Sequence, residues 1–172
     1  MVSVKRIVFG ALIAALYVAM SVSIADFSYG PIQFRYAEIL SVFCLFSSFY
    51  IMPLTLGCFL ANLIGVLSGI NEIGIMDALF GTIATLIACI LIFKLRNIKN
   101  YNLPILALLM PAIINAIIIG LELAIVIGKK DQLLISFVIF GLQVFLSEFI
   151  ICTILGILAL KPFKIIHNRI ML

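Results

Sequence analysis

The sequence predicts an all-α, polytopic membrane protein with six transmembrane helices. Of its 172 residues, 66% are hydrophobic and only 10% are charged, whereas soluble domains carry roughly 25% charged residues. The mean hydropathy is +1.39, and apolar segments long enough to cross a bilayer as helices, roughly 17 to 25 residues, follow one another along the chain. We therefore interpret residues 1–172 as a single integral membrane domain.

The second and third predicted spans are short and nearly continuous. We place the break between them at Met52 and Pro53, because proline removes a backbone donor and disfavours helix in the residue before it. A cleaved secretory signal is the alternative for the first span, although its apolar run exceeds the usual core of roughly 7 to 15 residues. The six spans cover approximately residues 4–24, 36–51, 53–67, 75–93, 103–127 and 133–160.

The basic residues predict the orientation, since Lys and Arg accumulate in cytoplasmic loops. Six spans place both termini on one side of the membrane. With the N-terminus inside, eight cations lie on the cytoplasmic side and three outside, which favours an N-in, C-in topology. The inner set is Lys5, Arg6, Lys94, Arg96, Lys99, Lys161, Lys164 and Arg169, and the outer set is Arg35, Lys129 and Lys130.

Several acids fall within or at the edges of the spans. A carboxylate at membrane depth costs at least a few kcal/mol on insertion scales, so it marks a candidate functional site. In the predicted topology Glu38, Asp77 and Glu122 converge toward the outer side, whereas Glu148 lies well along the sixth span. Amides join them as candidate binding groups: Asn62, Asn115 and Gln143.

Each of these polar residues also has a structural interpretation. Asp77 can cap the fourth helix, and Glu38 can pair with Arg35 one turn earlier. Asn62 and Asn115 can serve as hydrogen-bonded contacts between helices. Glu122 has no obvious local partner, and an acceptor-rich pocket built around it suits a ligand that carries N–H donors or positive charge.

Other function classes find little support. No Gly-rich phosphate loop occurs, so ATP hydrolysis would need another chain. His167, the single histidine, lies in the basic C-terminal tail, which argues against a His-dependent hydrolase or a metal site. No cofactor is indicated, the net charge of +4 needs no nucleic acid, and the four scattered cysteines are interpreted as packing residues.

Two ridges of small residues indicate close helix packing, since small side chains at four-residue spacing let helix backbones approach in lipid. One ridge, on the first helix, consists of Ala11, Ala15 and Ala19. The other, on the third span, consists of Gly57, Ala61, Gly65 and Gly69. One ridge can serve the internal bundle and the other a partner protein, and spacing alone does not assign them.

Five segments together resemble the QueT family of queuosine-precursor transporters. They are "YGPIQFRYAE" (29–38), "GCFLAN" (57–62), "MDALFGTIATL" (76–86), "GLEL" (120–123) and "SEF" (147–149). The resemblance covers nearly the whole chain, and the Gln-Phe-Arg-x-x-Glu element is its most specific part. Two positions depart from the family pattern: Ser147 precedes Glu148 in place of glycine, and Tyr36-Ala37 stands where Ile-Ser is more usual.

The resemblance implies an S component of an energy-coupling factor (ECF) transporter, a substrate-binding membrane protein of a prokaryotic plasma membrane. Such proteins work with a transmembrane coupling protein and two cytoplasmic ATPases, and their first-helix alanines dock on the coupling protein. The implied ligand is a 7-deazaguanine, either the aminomethyl precursor of queuosine or queuine. It also implies that binding residues lie toward the outside, under a lid formed by residues 26–34. The residues and the resemblance together give these candidate binding residues: Gln33, Phe34, Arg35, Glu38, Asn62, Asp77, Asn115, Glu122, Gln143 and Glu148.

Within this assignment, Glu122 or Glu38 is expected to bind the guanine edge and another carboxylate the amine. The asparagines would orient the ring and Phe34 would stack on it. Two alternatives remain: an S component for another vitamin, and a stand-alone proton-coupled carrier in which Glu122, Glu148 and Asp77 titrate during transport. A membrane enzyme is disfavoured, because the spans contain no nucleophile and base arrangement.

Overall fold

The computed structural model describes residues 4–24, 34–71 and 73–171, and these residues form helices joined by short connections. A ten-residue 3-10 helix, Tyr36–Leu45, follows the first α-helix. A π-helical segment, Phe149–Leu155, joins the last two α-helices into one continuous rod. In chain order the α-helices are α1 Val4–Ser23, α2 Ile51–Leu67, α3 Ile75–Leu95, α4 Ile105–Val126, α5 Leu133–Glu148 and α6 Gly156–Met171.

The all-helical, multi-spanning class predicted from the sequence is confirmed. Within the described residues, five stretches are long and apolar enough to cross a membrane by length and composition: Val4–Ser23, Ser48–Leu67, Ile75–Leu95, Ile105–Val126 and Leu133–Arg169. The predicted second span is the shorter 3-10 helix Tyr36–Leu45. At about 2.0 Å per residue, its ten residues cover roughly 20 Å, less than the ~30 Å of a hydrocarbon core.

The predicted break at Met52 and Pro53 is wrong, because the chain turns earlier, at Phe46 and Ser47. The Ser47 side chain accepts a hydrogen bond from the Phe49 amide and so caps the turn Ser48–Tyr50, which leads directly into α2. Pro53 lies in the first turn of α2, where its missing N–H leaves no hydrogen bond unmade. Pro53 is therefore compatible with the start of this helix and does not interrupt it.

The 3-10 helix lies at the centre of the bundle, against α1, α3, α6 and the π-helical segment. Eight of its ten residues are buried. The Tyr36 hydroxyl is 2.5 Å from the Ser23 hydroxyl at the end of α1, while Phe43 stacks on Phe163 of α6 with ring centroids 4.4 Å apart. This short helix therefore carries Glu38 into the middle of the protein.

Consecutive long helices pack side by side, from α1 against α2 through to α4 against α5. A Cβ atom on Gly57 would lie 2.8 Å from the Cβ of Tyr17, and one on Gly120 would lie 2.6 Å from the Cα of Gly141. Glycine permits these approaches because it has no side chain. Gly57, Ala61 and Gly65 of the α2 ridge are buried inside the bundle, whereas Gly69 is exposed just beyond the end of α2.

The alanine ridge of α1 faces outward. Ala11, Ala15 and Ala19 are all exposed, while the opposite face of α1 buries Ile13 and Tyr17 in the core. The two small-residue ridges thus have different environments, which spacing alone did not distinguish.

The last helix continues beyond the predicted end at residue 160, to Met171. Its extra turns are amphipathic, and their apolar face packs on the segment before α2. The His167 Nδ1 atom lies 2.9 Å from the Tyr50 hydroxyl, and the His167 ring stacks on Phe46. These aromatic contacts hold the end of α6 against the bundle.

Candidate functional site

Four carboxylic acids are buried within the bundle. The exposed fraction is 1% for Glu38, 0% for Asp77, 2% for Glu122 and 1% for Glu148. Burial of a carboxylate is unfavourable unless hydrogen bonds or an opposite charge compensate for the lost water. The partners of each acid therefore indicate whether it is structural or available to a ligand.

Asp77 is fully engaged by protein groups. Its Oδ1 atom forms a buried ion pair and hydrogen bond with the Arg35 guanidinium, and its Oδ2 atom accepts from Asn71 Nδ2 at 2.6 Å. The cap of α3 is Gly74 and Asp77 lies in the first turn, so Asp77 is not the capping residue, although an acid at this position favours the helix dipole. The ion pair of Arg35 with Asp77 also replaces the pairing with Glu38 that the sequence suggested.

Asn62 of α2 completes this cluster, since its Nδ2 atom donates to the Asp77 carbonyl oxygen at 3.0 Å. Gly81, one turn after Asp77, leaves the space that the cluster occupies. A Cβ atom at Gly81 would lie 2.6 Å from Asn62 Nδ2 and 2.7 Å from an Arg35 guanidinium nitrogen. We name Arg35, Asn62, Asn71 and Asp77 the ion-pair cluster.

Glu38 is partly engaged. Its Oε1 atom accepts hydrogen bonds from the Tyr17 hydroxyl at 2.6 Å and from the Thr85 hydroxyl at 2.7 Å. Its Oε2 atom is buried and has no hydrogen-bond partner. One face of this carboxylate is therefore fixed by α1 and α3, and the other retains a free acceptor.

Glu148 lies at the junction of α5 with the π-helical segment, a helix distortion that occurs frequently at functional sites. The Cys152 thiol donates to Glu148 Oε2 at 3.2 Å, and the side chain of Asn115 from α4 interacts with the same carboxyl group. Thr153 donates to the Leu108 carbonyl of α4 at 3.1 Å. These contacts join α4 to the π-helical segment beside Glu148.

Glu122 is the exception among the four acids. Both of its carboxyl oxygens are buried without a hydrogen-bond partner, although the residue interacts electrostatically with Asp77 and Arg35. Of the four buried side-chain oxygens without a partner among the described residues, three belong to Glu122 and Glu38, and the fourth is Ser41 Oγ. Unmet acceptors in a buried position indicate a place for a donor-bearing ligand.

Among the remaining predicted site residues, Asn115 contacts Glu148, and the others are less closely associated with the acids. Phe34 is half-buried beside Arg35. Gln143 is exposed on the surface of α5 and is not buried with the acids. Gln33 and most of the predicted lid, residues 26–33, lie outside the described residues. Asn115 is buried, 3% exposed, on the same helix as Glu122.

The sequence reasoning missed Tyr17, Asn71, Gly81 and Thr85 as members of the site. A signal for two of them was present, because Gly81 and Thr85 follow Asp77 at four-residue intervals and so share one helical face with it. Tyr17 could have been identified as a polar-tipped aromatic on the helix face opposite the alanine ridge. Asn71 lies in a short connection and carried no such pattern.

A polytopic helical bundle with carboxylates and free acceptors at its core belongs to the class of membrane proteins that handle polar solutes. Within this class, the family model described as "QueT transporter" matches residues 7–164. The chain belongs to the QueT transporter family. Its family is therefore one of transporters and not of enzymes.

One curated relative is the queuosine precursor transporter QueT of Lactococcus lactis subsp. cremoris (strain MG1363). It is 43% identical over 54 residues, which cover 30% of this chain and 32% of the relative. The match thus spans about a third of that protein. No solved structure matches this chain.

Proposed function

We propose that this protein is the substrate-binding S component of an ECF-type importer, and that it captures a 7-deazaguanine precursor of queuosine. The observation that carries this proposal is the buried carboxylate of Glu122, whose two oxygens have no hydrogen-bond partner. A guanine edge offers adjacent N–H donors, which suit the two oxygens of one carboxylate. The Lactococcus relative is a queuosine precursor transporter, which supports the same ligand class.

The ligand's two polar ends suit two different acids. In this proposal Glu122 accepts from the guanine edge, and Glu38, whose Oε2 atom is free, accepts from the ammonium group of the aminomethyl precursor. Asn62, Asn115 and Glu148 line the ring, while the Arg35–Asp77 pair holds the surrounding helices in position. The whole of residues 1–172 then acts as one substrate-binding domain.

Six membrane crossings are part of the proposal, with the 3-10 helix as the second. Its start is next to the end of α1, through Tyr36 and Ser23. The segment that follows it reaches the N-terminal half of α1, where a Cβ on Gly10 would lie 3.5 Å from the ring of Phe49. The chain between Tyr36 and Phe49 therefore runs back along most of α1, which supports its assignment as the second crossing.

An N-in, C-in orientation in a prokaryotic plasma membrane follows from the six crossings and the basic residues. Arg35 is 6% exposed and ion-paired, so it is not a loop charge. When Arg35 is not counted among the outer loop cations, only Lys129 and Lys130 oppose the eight inner cations, and the positive-inside bias becomes stronger. Glu38, Asp77 and Glu122 lie toward the outer side in this orientation, whereas Glu148, at the C-terminal end of α5, lies deeper.

The partners proposed are a transmembrane coupling protein and two cytoplasmic ATPases. The exposed ridge of Ala11, Ala15 and Ala19 supports this part, because a smooth small-residue face permits close approach of a second helical protein in lipid. Energy for uptake comes from the ATPases, since this chain has no phosphate-binding loop.

A stand-alone proton-coupled carrier is the second candidate. The observation that favours it is the unpartnered carboxyl group of Glu122, because such a group can exchange a proton during transport. Uptake of labelled 7-aminomethyl-7-deazaguanine in cells separates the two. The S-component proposal predicts uptake only when the coupling protein and active ATPases are coexpressed. Uptake in cells that lack the coupling protein and the ATPases would contradict the S-component proposal. If that uptake stopped when the proton gradient was removed, it would support the carrier.

A further inference from the structure

A cavity of about 370 Å³ lies at the end of the bundle away from the buried acids. Arg96 borders it just after α3, nineteen residues beyond Asp77, which corresponds to roughly 28 Å at 1.5 Å per residue. This separation is close to the thickness of a hydrocarbon core, so the cavity lies at the opposite membrane boundary. It is distinct from the candidate site described above.

The cavity is lined by cations from two segments that are distant in sequence. Four basic residues border it: Arg96, Lys99, Lys161 and Lys164. No acidic residue occurs within residues 39–71, 78–121 or 149–172, which include every segment that lines it. Cations are expected on the cytoplasmic side of any membrane protein. That rule does not explain why four of them border one cavity, or why the segments that line it contain no acid.

Contacts with Phe93 hold Arg96 in place at the edge of the cavity. The Arg96 guanidinium lies 3.7 Å from the centroid of the Phe93 ring and donates one hydrogen bond to the Phe93 carbonyl, which uses one of its five N–H donors. Asn102 also lines the cavity from a tight turn in which both central residues have positive φ, 52° at Tyr101 and 64° at Asn102.

That turn is held by reciprocal backbone hydrogen bonds between Asn100 and Leu103, at 2.9 and 3.0 Å. Positive φ at both central residues is typical of a type I′ turn, in which asparagine is a favoured residue. The other side of the cavity is apolar, with Leu45, Phe46 and Leu160. The lining thus combines several cations with a hydrophobic wall.

We propose that this basic cavity, bordered by Arg96, Lys99, Lys161 and Lys164, binds a phosphate-bearing anion at the membrane surface. Arginine and lysine recognise phosphate oxygens by charge-assisted hydrogen bonds, and basic pockets between transmembrane helices bind anionic lipid head groups. The phosphate belongs either to an anionic lipid or to a soluble phosphate. The apolar wall suits the lipid, whose acyl chains begin beside its phosphate.

Binding of phosphatidylglycerol to the detergent-solubilised protein, measured by native mass spectrometry against phosphatidylcholine, tests the proposal. In detergent the membrane topology has no influence on the result. The expected result is preferential retention of phosphatidylglycerol by the wild type. Lys161→Gln/Lys164→Gln should bind it more weakly, by on the order of fivefold for each lysine removed.

The matched control is Lys5→Gln/Lys94→Gln, which removes two cations from the same predicted side but outside the cavity lining. This variant should bind phosphatidylglycerol as the wild type does. An equal loss in both double variants, or no preference for the anionic lipid together with no thermal stabilisation by inorganic phosphate, would overturn the proposal. Stabilisation by inorganic phosphate that Lys161→Gln/Lys164→Gln abolishes would identify a soluble phosphate as the ligand.

Discussion

The Arg35 guanidinium and the Asp77 carboxylate form a buried ion pair across 42 residues of sequence, between the start of the 3-10 helix and the first turn of α3. Asn71 and Asn62 donate further hydrogen bonds to Asp77. This residue therefore has protein partners for both carboxyl oxygens. Glu122, which interacts electrostatically with both members of the pair, has none. The contrast separates a structural carboxylate from one that is available to a ligand.

Breaking the ion pair on one side should destabilise the protein strongly. Arg35→Met leaves the Asp77 carboxylate buried without its cation, and loss of one member of a buried pair costs about 3–5 kcal/mol. Arg35→Met/Asp77→Leu should restore part of this loss, because no unpaired charge remains. Denaturation in mixed micelles measures both free energies of unfolding. A double variant with the summed loss of the two single variants would contradict this account.

Gly81 should not tolerate a side chain. A Cβ atom there would lie 2.6 Å from Asn62 Nδ2, so Gly81→Ala must displace the ion-pair cluster, at a cost of about 1–3 kcal/mol. Gly156→Ala is the matched control, since the nearest atom to its Cβ is a side-chain methyl of Val42 at 3.3 Å. Thermal unfolding of the two variants should show the larger loss for Gly81→Ala. Equal losses of thermal stability would mean that the ion-pair cluster can shift to accept the added methyl group without a specific energetic cost.

Glu122 and Glu38 should respond oppositely to replacement by leucine when no ligand is bound. Glu122→Leu removes two buried oxygens without partners and should stabilise the protein, since an unsatisfied buried polar group costs about 1–3 kcal/mol. Glu38→Leu deprives Tyr17 and Thr85 of their acceptor and should destabilise it. Melting temperatures of the ligand-free variants provide the comparison. Similar destabilisation by both would show that Glu122 is as structural as Glu38.

The exposed alanine ridge should matter for uptake and not for binding. Ala15→Trp adds a large side chain to the outer face of α1 and should leave folding and ligand affinity unchanged, while ATP-dependent uptake is lost because the coupling protein cannot approach. Val138→Trp on the exposed face of α5 is the control and should transport normally. Full uptake by Ala15→Trp would place the coupling surface elsewhere.

The helical, multi-spanning fold was predictable because composition and span length dominate it. Long apolar runs with few charges have few structural solutions in lipid. The start of the short second helix at Tyr36 was predicted, but its 3-10 geometry and its end at Leu45 were not, because Pro53 misled the boundary. A proline in the first turn is compatible with a helix, and Pro53 lies there.

The burial of the four acids was anticipated from their depth, but their partners were not. Local pairings such as Arg35 with Glu38 are the ones that a sequence displays, whereas the ion pair with Asp77 joins residues 42 positions apart. Gly81 and Thr85 share the spacing of Asp77 and could have been included on that ground. Gln143 was included on polarity alone, and it is exposed on the outer side of α5.

The most direct test of the central claim is calorimetric titration of the purified protein with 7-aminomethyl-7-deazaguanine. The wild type and Asp131→Asn, which alters an exposed acid, should bind with equal affinity. Glu122→Gln should bind roughly 10- to 100-fold more weakly, because a hydrogen bond to a charged group contributes about 1.5–3 kcal/mol. A Glu122→Gln variant that binds as tightly as the wild type, or a wild type that does not bind the compound, would contradict the assignment.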